Sequence, residues 1–211
     1  MTKVTYDSCL LSILDGLHSQ GDEAVHKIIS AIKITSTMLT TDEGNGMPLH
    51  LAVCYNLPKC VTLLLAKGAD VNATRECDSN TPLHLAANDL LFPIIPLLIR
   101  QGADLNAKDN RTRDTPLQLA IGNSQLKAVE ALLDNGANIE EQGAHLCTPL
   151  HSAIKAGNLE LVKLLVERGA DLESEGRDCR TVLRRAFDLD KLDIIEYLAK
   201  ILQEKKQNEP S

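Results

Sequence analysis

The sequence predicts an all-α repeat solenoid, built from short antiparallel helix pairs that are stable only when stacked. Three observations carry this. Thr148 to Asp171 contains two helices with their boundaries; its opening and its close recur along the chain; and 44% of the 211 residues are hydrophobic, enough for a core shared between neighbours. In that stretch Thr148 can cap a helix and Pro149 takes the first helical position, where its missing N–H is not needed. Leu150, Ala153 and Ile154 share one face at helical spacing. Gly157 breaks the helix, Asn158 can cap a second, and Leu161, Leu164 and Leu165 form its apolar stripe before Gly169 ends it. One such hairpin cannot bury its own apolar faces.

Neighbours follow at a fixed interval. Met47-Pro48-Leu49-His50, Thr81-Pro82-Leu83-His84, Thr115-Pro116-Leu117-Gln118, Thr148-Pro149-Leu150-His151 and Thr181-Val182-Leu183-Arg184 open successive repeats, spaced by 34, 34, 33 and 33 positions. Gly68-Ala69-Asp70, Gly102-Ala103-Asp104, Gly136-Ala137-Asn138 and Gly169-Ala170-Asp171 each follow the first residue of their repeat by 21 positions. With these linked motifs the chain closely resembles the ankyrin repeat family, strongly over residues 41–202 and weakly over 7–40. The resemblance implies one ankyrin-repeat domain over residues 1–205: an N-terminal cap at 7–40, full repeats at 41–74, 75–108, 109–141 and 142–174, and a degenerate C-terminal cap at 175–205.

In order, residues 7–40 read as a worn first repeat. Leu10, Leu11, Leu14, Leu17 and His18 form one stripe, Gly21 marks the mid-repeat break, and Asp22 can cap the helix carrying Val25, Ile28, Ile29 and Ile32. Residues 35–46 are a polar connector rich in Thr and Gly. The interior repeats end in extended connectors such as Ala69 to Ala73, which the resemblance implies form hairpins projecting at right angles to the helices. Where the family usually has glycine two residues before the Thr, this chain has Asn45, Ser79, Arg113, Leu146 and Cys179, which leaves the tight turn open. Two connectors carry an additional residue and are expected to have longer fingertips.

Leu90 and Leu91 stand where the repeat at 142–174 has Gly157 and Asn158. A left-handed backbone costs a leucine about 1–2 kcal/mol, so a distorted turn or a shifted helix boundary is expected, with Pro96 adding to it and Phe92 in the core. The two leucines either fold down onto Leu57 and Leu126 or form an exposed apolar spot beside the binding surface. In the last repeat, Arg184 and Arg185 replace helix-face residues of the interior pattern, so its outer face is expected to meet water and end the stack. Residues 206–211 read as a disordered polar tail.

Composition excludes several classes. A net charge of −7 argues against general attraction to nucleic acid or anionic membrane. The longest uncharged apolar run, Leu90 to Ile99, is too short to span a bilayer and contains two prolines. With no secretory signal pattern, a cytoplasmic or nuclear setting is expected, or a host cytosol if the chain is a bacterial effector. The six cysteines, Cys9, Cys54, Cys60, Cys77, Cys147 and Cys179, lack metal-type spacing and are expected to be free thiols. Cys60 aligns with Ile94, Ala128, Leu161 and Ile194 and is expected to be buried. Cys77, Cys147 and Cys179 fall in the connectors and are expected to react readily.

No residue pattern favours catalysis. His50, His84 and His151 recur at one repeat position, and the resemblance implies that each bonds the loop of the neighbouring repeat. His18, His26 and His145 lack partners at metal-binding spacing. Gly44-Asn45-Gly46 lacks the glycine pattern of a phosphate loop, and no nucleophile motif is present. No enzyme activity, cofactor or metal is expected.

What differs between repeats is the more informative part. The resemblance implies a concave groove, built from hairpin residues before the Thr and from the pair ending each first helix. By position the helix-end pairs are Cys54-Tyr55, Asn88-Asp89, Gly122-Asn123 and Lys155-Ala156. The hairpin positions include Glu43, Asp78, Asn80, Arg111, Asp114, His145 and Cys147, with Leu90 and Leu91 beside them. The expected function is non-enzymatic binding of a protein partner as adaptor, scaffold or occluding inhibitor. The alternatives are a secreted effector recruiting a host protein, or a regulatory subunit of a signalling complex. A monomer is expected, with weak self-association possible through Leu90 and Leu91. With only 2% aromatic residues, polar contacts must carry much of the specificity, and Tyr55 is the one aromatic anchor among these positions.

Overall fold

A computed structural model describes residues 21–31, 48–143, 146–176 and 181–208. The stripe at Leu10 to His18, the connector at 35–46, Glu43, His145 and Cys179 lie outside the described residues, as do the side chains of Val25, Ile28, Ile29 and Ile32. The chain falls into two compact bodies, Met1–Arg111 and Thr112–Ser211.

In the first body the helices are α1 (Asp22–Ala31), α2 (Pro48–Cys54), α3 (Pro58–Ala66), α4 (Pro82–Asn88) and α5 (Ile95–Arg100). Each of α2 to α5 has proline in its first turn, where the backbone N–H groups lack intrahelical acceptors and proline's fixed φ suits the helix. At α4 the Thr81 hydroxyl accepts from the His84 N–H, and His84 Nδ1 accepts the Thr81 N–H at 3.2 Å, closing a capping box. The pair α2–α3 packs internally, α2 packs on α4 and α1 on α3. Between them lie Leu49, Val53, Cys60, Val61, Leu64, Leu83, Ile94, Ile95 and Leu98, all at most 1% exposed. Burying each leucine or isoleucine contributes about 1.5–3 kcal/mol, far more than propensity gives a helix of this length. Cys60 sits in this core as its alignment predicts.

The Asp22 side chain, expected at the start of its own helix, reaches across to the next repeat. Its Oδ2 accepts the Lys59 N–H at 2.8 Å and its Oδ1 the Cys60 N–H at 3.1 Å, at the N-terminus of α3. The cap residue of α3 is Leu57, which has no side-chain acceptor, so the carboxylate of the preceding repeat satisfies these amides. Lys59 pairs with Glu23 beside this contact.

The expected distortion at Leu90 is corrected in one respect and upheld in another. Leu90 takes φ 60°, matching the φ 70° of Gly157, and the turn keeps its bond: Leu91 N–H to Ala86 O at 3.0 Å, as Leu57 N–H to Ala52 O at 2.9 Å. The helix boundary does shift, because α5 begins at Ile95, three residues beyond the counterpart of Pro58. Phe92 therefore lies ahead of the helical stripe and is half-buried, not core. Leu90 is 63% exposed and Leu91 half-buried, so the leucines do not both fold inward.

The second body contains α6 (Pro116–Gly122), α7 (Leu126–Asp134), α8 (Pro149–Ala156), α9 (Leu159–Glu167), α10 (Val182–Asp188) and α11 (Leu192–Asn208). α8 packs on both α6 and α10, and each first helix packs on the second helix of its own repeat. Asn158 caps α9 by accepting the Leu161 N–H at 3.2 Å. Gly169 at φ 89° then lets the Ala170 N–H reach Leu165 O at 3.0 Å, the closing bond of a Schellman turn. Ala69 to Leu64, Ala103 to Leu98 and Ala137 to Leu132 repeat this bond.

The connectors also correct an expectation. Ser79, Arg113 and Leu146, where glycine was missed, take φ 58°, 61° and 56°, so the left-handed turn is kept without glycine. Arg75 N–H bonds Asn80 O five residues on, whereas Gly143 N–H bonds Cys147 O four residues on, the longer fingertip expected in the earlier connector. Among the described residues the one β-bridge pairs Glu175 with Thr181. At the end of the chain, α11 runs through Asn208, so residues 206–208 are helical and not tail. Arg184 is exposed as expected and ion-paired with Asp188 at 3.2 Å, but Arg185 is half-buried. Beside them Phe187 and Leu192 are 53% and 77% exposed, so this face is not purely polar.

Candidate functional site

In the first body the helix-end and turn positions converge. Cys54 and Tyr55 end α2, Asn88 and Asp89 end α4, and the turn from Arg75 to Asn80 joins the two repeats. The half-buried Cys54 thiol has its pKa raised first by burial and then by the Asp89 carboxylate, and it also feels Arg75 and Asp78, so all four groups share one region. Asn88 Nδ2 donates to Asp89 Oδ1 at 2.8 Å, which orients the exposed pair.

Asp78 is tied more tightly than the sequence suggests. The Arg75 guanidinium donates to both carboxylate oxygens, through Nε to Oδ1 at 3.1 Å and through Nη2 to Oδ2. Asn80 adds its backbone N–H to Oδ1 at 3.0 Å and its Nδ2 to Oδ2 at 2.7 Å. Burial alone would raise the Asp78 carboxyl, but these donors and the Arg75 charge outweigh it and hold it at about 2. The Asp78 carbonyl also accepts the Asn110 N–H at 3.0 Å, linking this turn to the next. Asp78 and Asn80 thus spend much of their hydrogen-bonding capacity on shaping the turn. Arg75, which sequence reasoning passed over, supplies the charge; its spacing of three from Asp78 was the available signal.

The repeated histidine position acts as a bridge. His50 Nε2 lies 3.1 Å from Asn80 O, in the turn before the next repeat. In the second body Gln118 replaces histidine and does the same work: Oε1 accepts the Thr115 N–H at 3.1 Å and Nε2 donates to Cys147 O at 2.7 Å. A Cβ at Gly143 would overlap Gln118 Oε1 and Asp114 Oδ1, which explains glycine beneath this bridge.

The other positions in the second body are spread along it. Asp114 and Cys147 are half-buried, while Asn123 and Lys155 are exposed at the ends of α6 and α8. Asn123 Nδ2 donates to Leu119 O at 3.1 Å. Arg111, closing the first body, is exposed, and its N–H is held by Asp109 Oδ1 at 2.8 Å. Leu90 stands exposed immediately after the Asn88-Asp89 pair.

Among the described residues no cluster of three or more His, Cys, Asp or Glu could hold a metal ion. No described helix is long and apolar enough to cross a membrane. A family model for ankyrin repeats (3 copies) matches residues 9–109, 49–143 and 140–209. No curated protein matches the chain.

Proposed function

Because this chain belongs to the ankyrin repeat family, we propose that it is a non-enzymatic module whose helix-end and turn residues bind a protein partner, as adaptor, scaffold or occluding inhibitor. Ankyrin repeats are in general protein–protein interaction modules, and the family is typically non-enzymatic. The observation that supports the proposed site is the convergence of Cys54, Asn88-Asp89 and the Arg75–Asn80 turn in the first body. There the backbone is fixed by intramolecular bonds before any partner arrives, so little ordering entropy is lost on association. Asp89 and Asn88 offer exposed acceptors and donors, Leu90 an apolar contact, and Tyr55 a half-buried ring with a polar tip.

The test is affinity capture with the intact chain, followed by titration of the captured protein against Tyr55→Ala and Asp89→Lys variants. Tyr55→Ala should weaken binding by at least about 1 kcal/mol, the threshold of an interface hot spot, with the melting transition nearly unchanged. Equal affinity for wild type and both variants would remove this surface from the binding site, and loss of stability without loss of affinity would make Tyr55 a packing residue.

A further inference from the structure

The second helices of the first two full repeats, α3 and α5, leave an apolar groove of about 190 Å³ between them, lined by Thr62, Leu65, Leu97, Arg100 and Gln101. Neither of the links that cross the corresponding seams of the second body can form here. Across α7 and α9, Arg168 Nη1 donates to Asp134 Oδ1 at 2.6 Å. The same repeat positions hold Gln101 and Ala66, which have no charges to pair. Across α9 and α11, the Tyr197 ring reaches back to the earlier helix. Lys163 Nζ lies 5.7 Å from its centroid, and its half-buried phenol is pushed up first by burial and then by the Glu167 carboxylate. By repeat position Lys163 corresponds to Thr62 and Tyr197 to Leu97. A leucine has no ring to lay across the seam, so the space stays open, with Leu65 and Leu97 half-buried on its walls.

We propose that this groove takes one aromatic side chain of a protein partner, from a segment that carries a carboxylate next to that ring. Three observations select this occupant. The last seam shows that a ring suits the position, since Tyr197 covers it there between α9 and α11. The volume of about 190 Å³ suits one ring and little more, because an engineered apolar cavity of about 150 Å³ takes up benzene. The charge on the rim selects the neighbour of the ring. Arg100 is exposed in the last turn of α5, and among the described residues its guanidinium pairs with no carboxylate, so an incoming acid meets an uncompensated cation. The inference rests on the reading of this chain as a protein-binding module, but it uses the second helices rather than the first-helix ends and turns around Tyr55 and Asp89.

Methyl NMR titration of the full chain tests this with two acetylated and amidated dipeptides, Phe-Glu and Phe-Gln, and with Ala-Glu as a control. Both Phe probes should shift the methyl signals of Leu65 and Leu97, with Phe-Glu binding about threefold more tightly than Phe-Gln, the value of one exposed ion pair. Ala-Glu should leave those signals in place. Thr62→Lys with Leu97→Tyr rebuilds the closed seam of the last repeat, so it should weaken Phe-Glu by about tenfold or more at Leu65, the value of burying one ring, without lowering the melting temperature. Should that variant unfold, Arg100→Glu decides, since the side chain is exposed; it should reverse the preference and make Phe-Gln the tighter probe. Leu65 and Leu97 signals that ignore the Phe probes, an Ala-Glu response equal to that of Phe-Glu, a folded double variant that binds like wild type, or an unchanged preference in Arg100→Glu would each overturn the proposal. Tighter binding of hydrocinnamate than of Phe-Glu would assign the groove to a small aromatic acid and equally overturn it. Tyr55→Ala should leave the shifts intact, which separates this groove from the proposed turn site; shifts lost in that variant would place the probes at the turn site and overturn the inference.

Discussion

Asp78→Asn removes one charge from the turn network while keeping the side chain's size and one acceptor. Arg75 and Asn80 hold the Asp78 carboxyl at about 2, against an ordinary 3.8, and at about 1.4 kcal/mol per unit this difference is worth about 2 kcal/mol. The side chain is 15% exposed, so solvent screening removes only a small part of that figure. A carboxyl whose folded pKa is depressed stabilises the fold above its unfolded pKa, near 4, and loses that contribution as pH falls toward 2. Wild type and Asp78→Asn should therefore differ by about 2 kcal/mol at pH 7, converging as pH drops from about 5 to about 2. Urea unfolding at a series of pH values measures the difference, and native-state amide exchange at Asn80 and Asn110 localises it, since both N–H groups bond Asp78. Other carboxylates titrate in the same window, so the quantity that matters is the wild-type minus variant difference. A difference independent of pH between 2 and 5 would refute the assignment of charge stabilisation to this turn, and full partner binding by the variant would identify Asp78 as purely structural.

Asp22→Ala should cost about 1 kcal/mol, the value of a lost N-cap, with faster amide exchange at Lys59 and Cys60; exchange speeding only within α1 would mean the carboxylate serves its own helix after all. Cys77 is exposed and should alkylate rapidly under native conditions, with half-buried Cys147 slower. Cys60, pushed up to about 12 by burial and then by Asp22, should react only on unfolding, and mass-spectrometric alkylation kinetics separate the three. Leu90→Gly relieves a left-handed leucine at little cost in burial, so stability should be unchanged or higher in thermal melts; a loss above about 1 kcal/mol would show that packing, not strain, dominates there.

The helix pairs of this chain are legible in its sequence because their determinants are local. Thr81 and His84 cap within one turn, Asn158 reaches an amide three residues on, and Gly169 closes a bond spanning a single helix end. Apolar spacing likewise marks Cys60 as core from its alignment alone. The left-handed turns were harder to read. At Leu90, Ser79, Arg113 and Leu146 the residue resists the conformation, yet the structure keeps it. At Leu90 the bonds on either side, Asp89 N–H to Leu85 O and Leu91 N–H to Ala86 O, together with buried Ala86 and Ile94, offset a cost of only about 1–2 kcal/mol. The candidate site divides the same way: its positions were readable from the repeat, but which side chains are consumed was not, and Asp78 proved bound to Arg75 and Asn80. Asp22 proved to serve amides 37 and 38 residues away, and Phe187 proved open where earlier repeats are closed. Capping and periodicity act over three or four residues and so are written into the sequence. Burial and bonding between repeats depend on which surface lies about 33 residues away, and only the tertiary structure decides that.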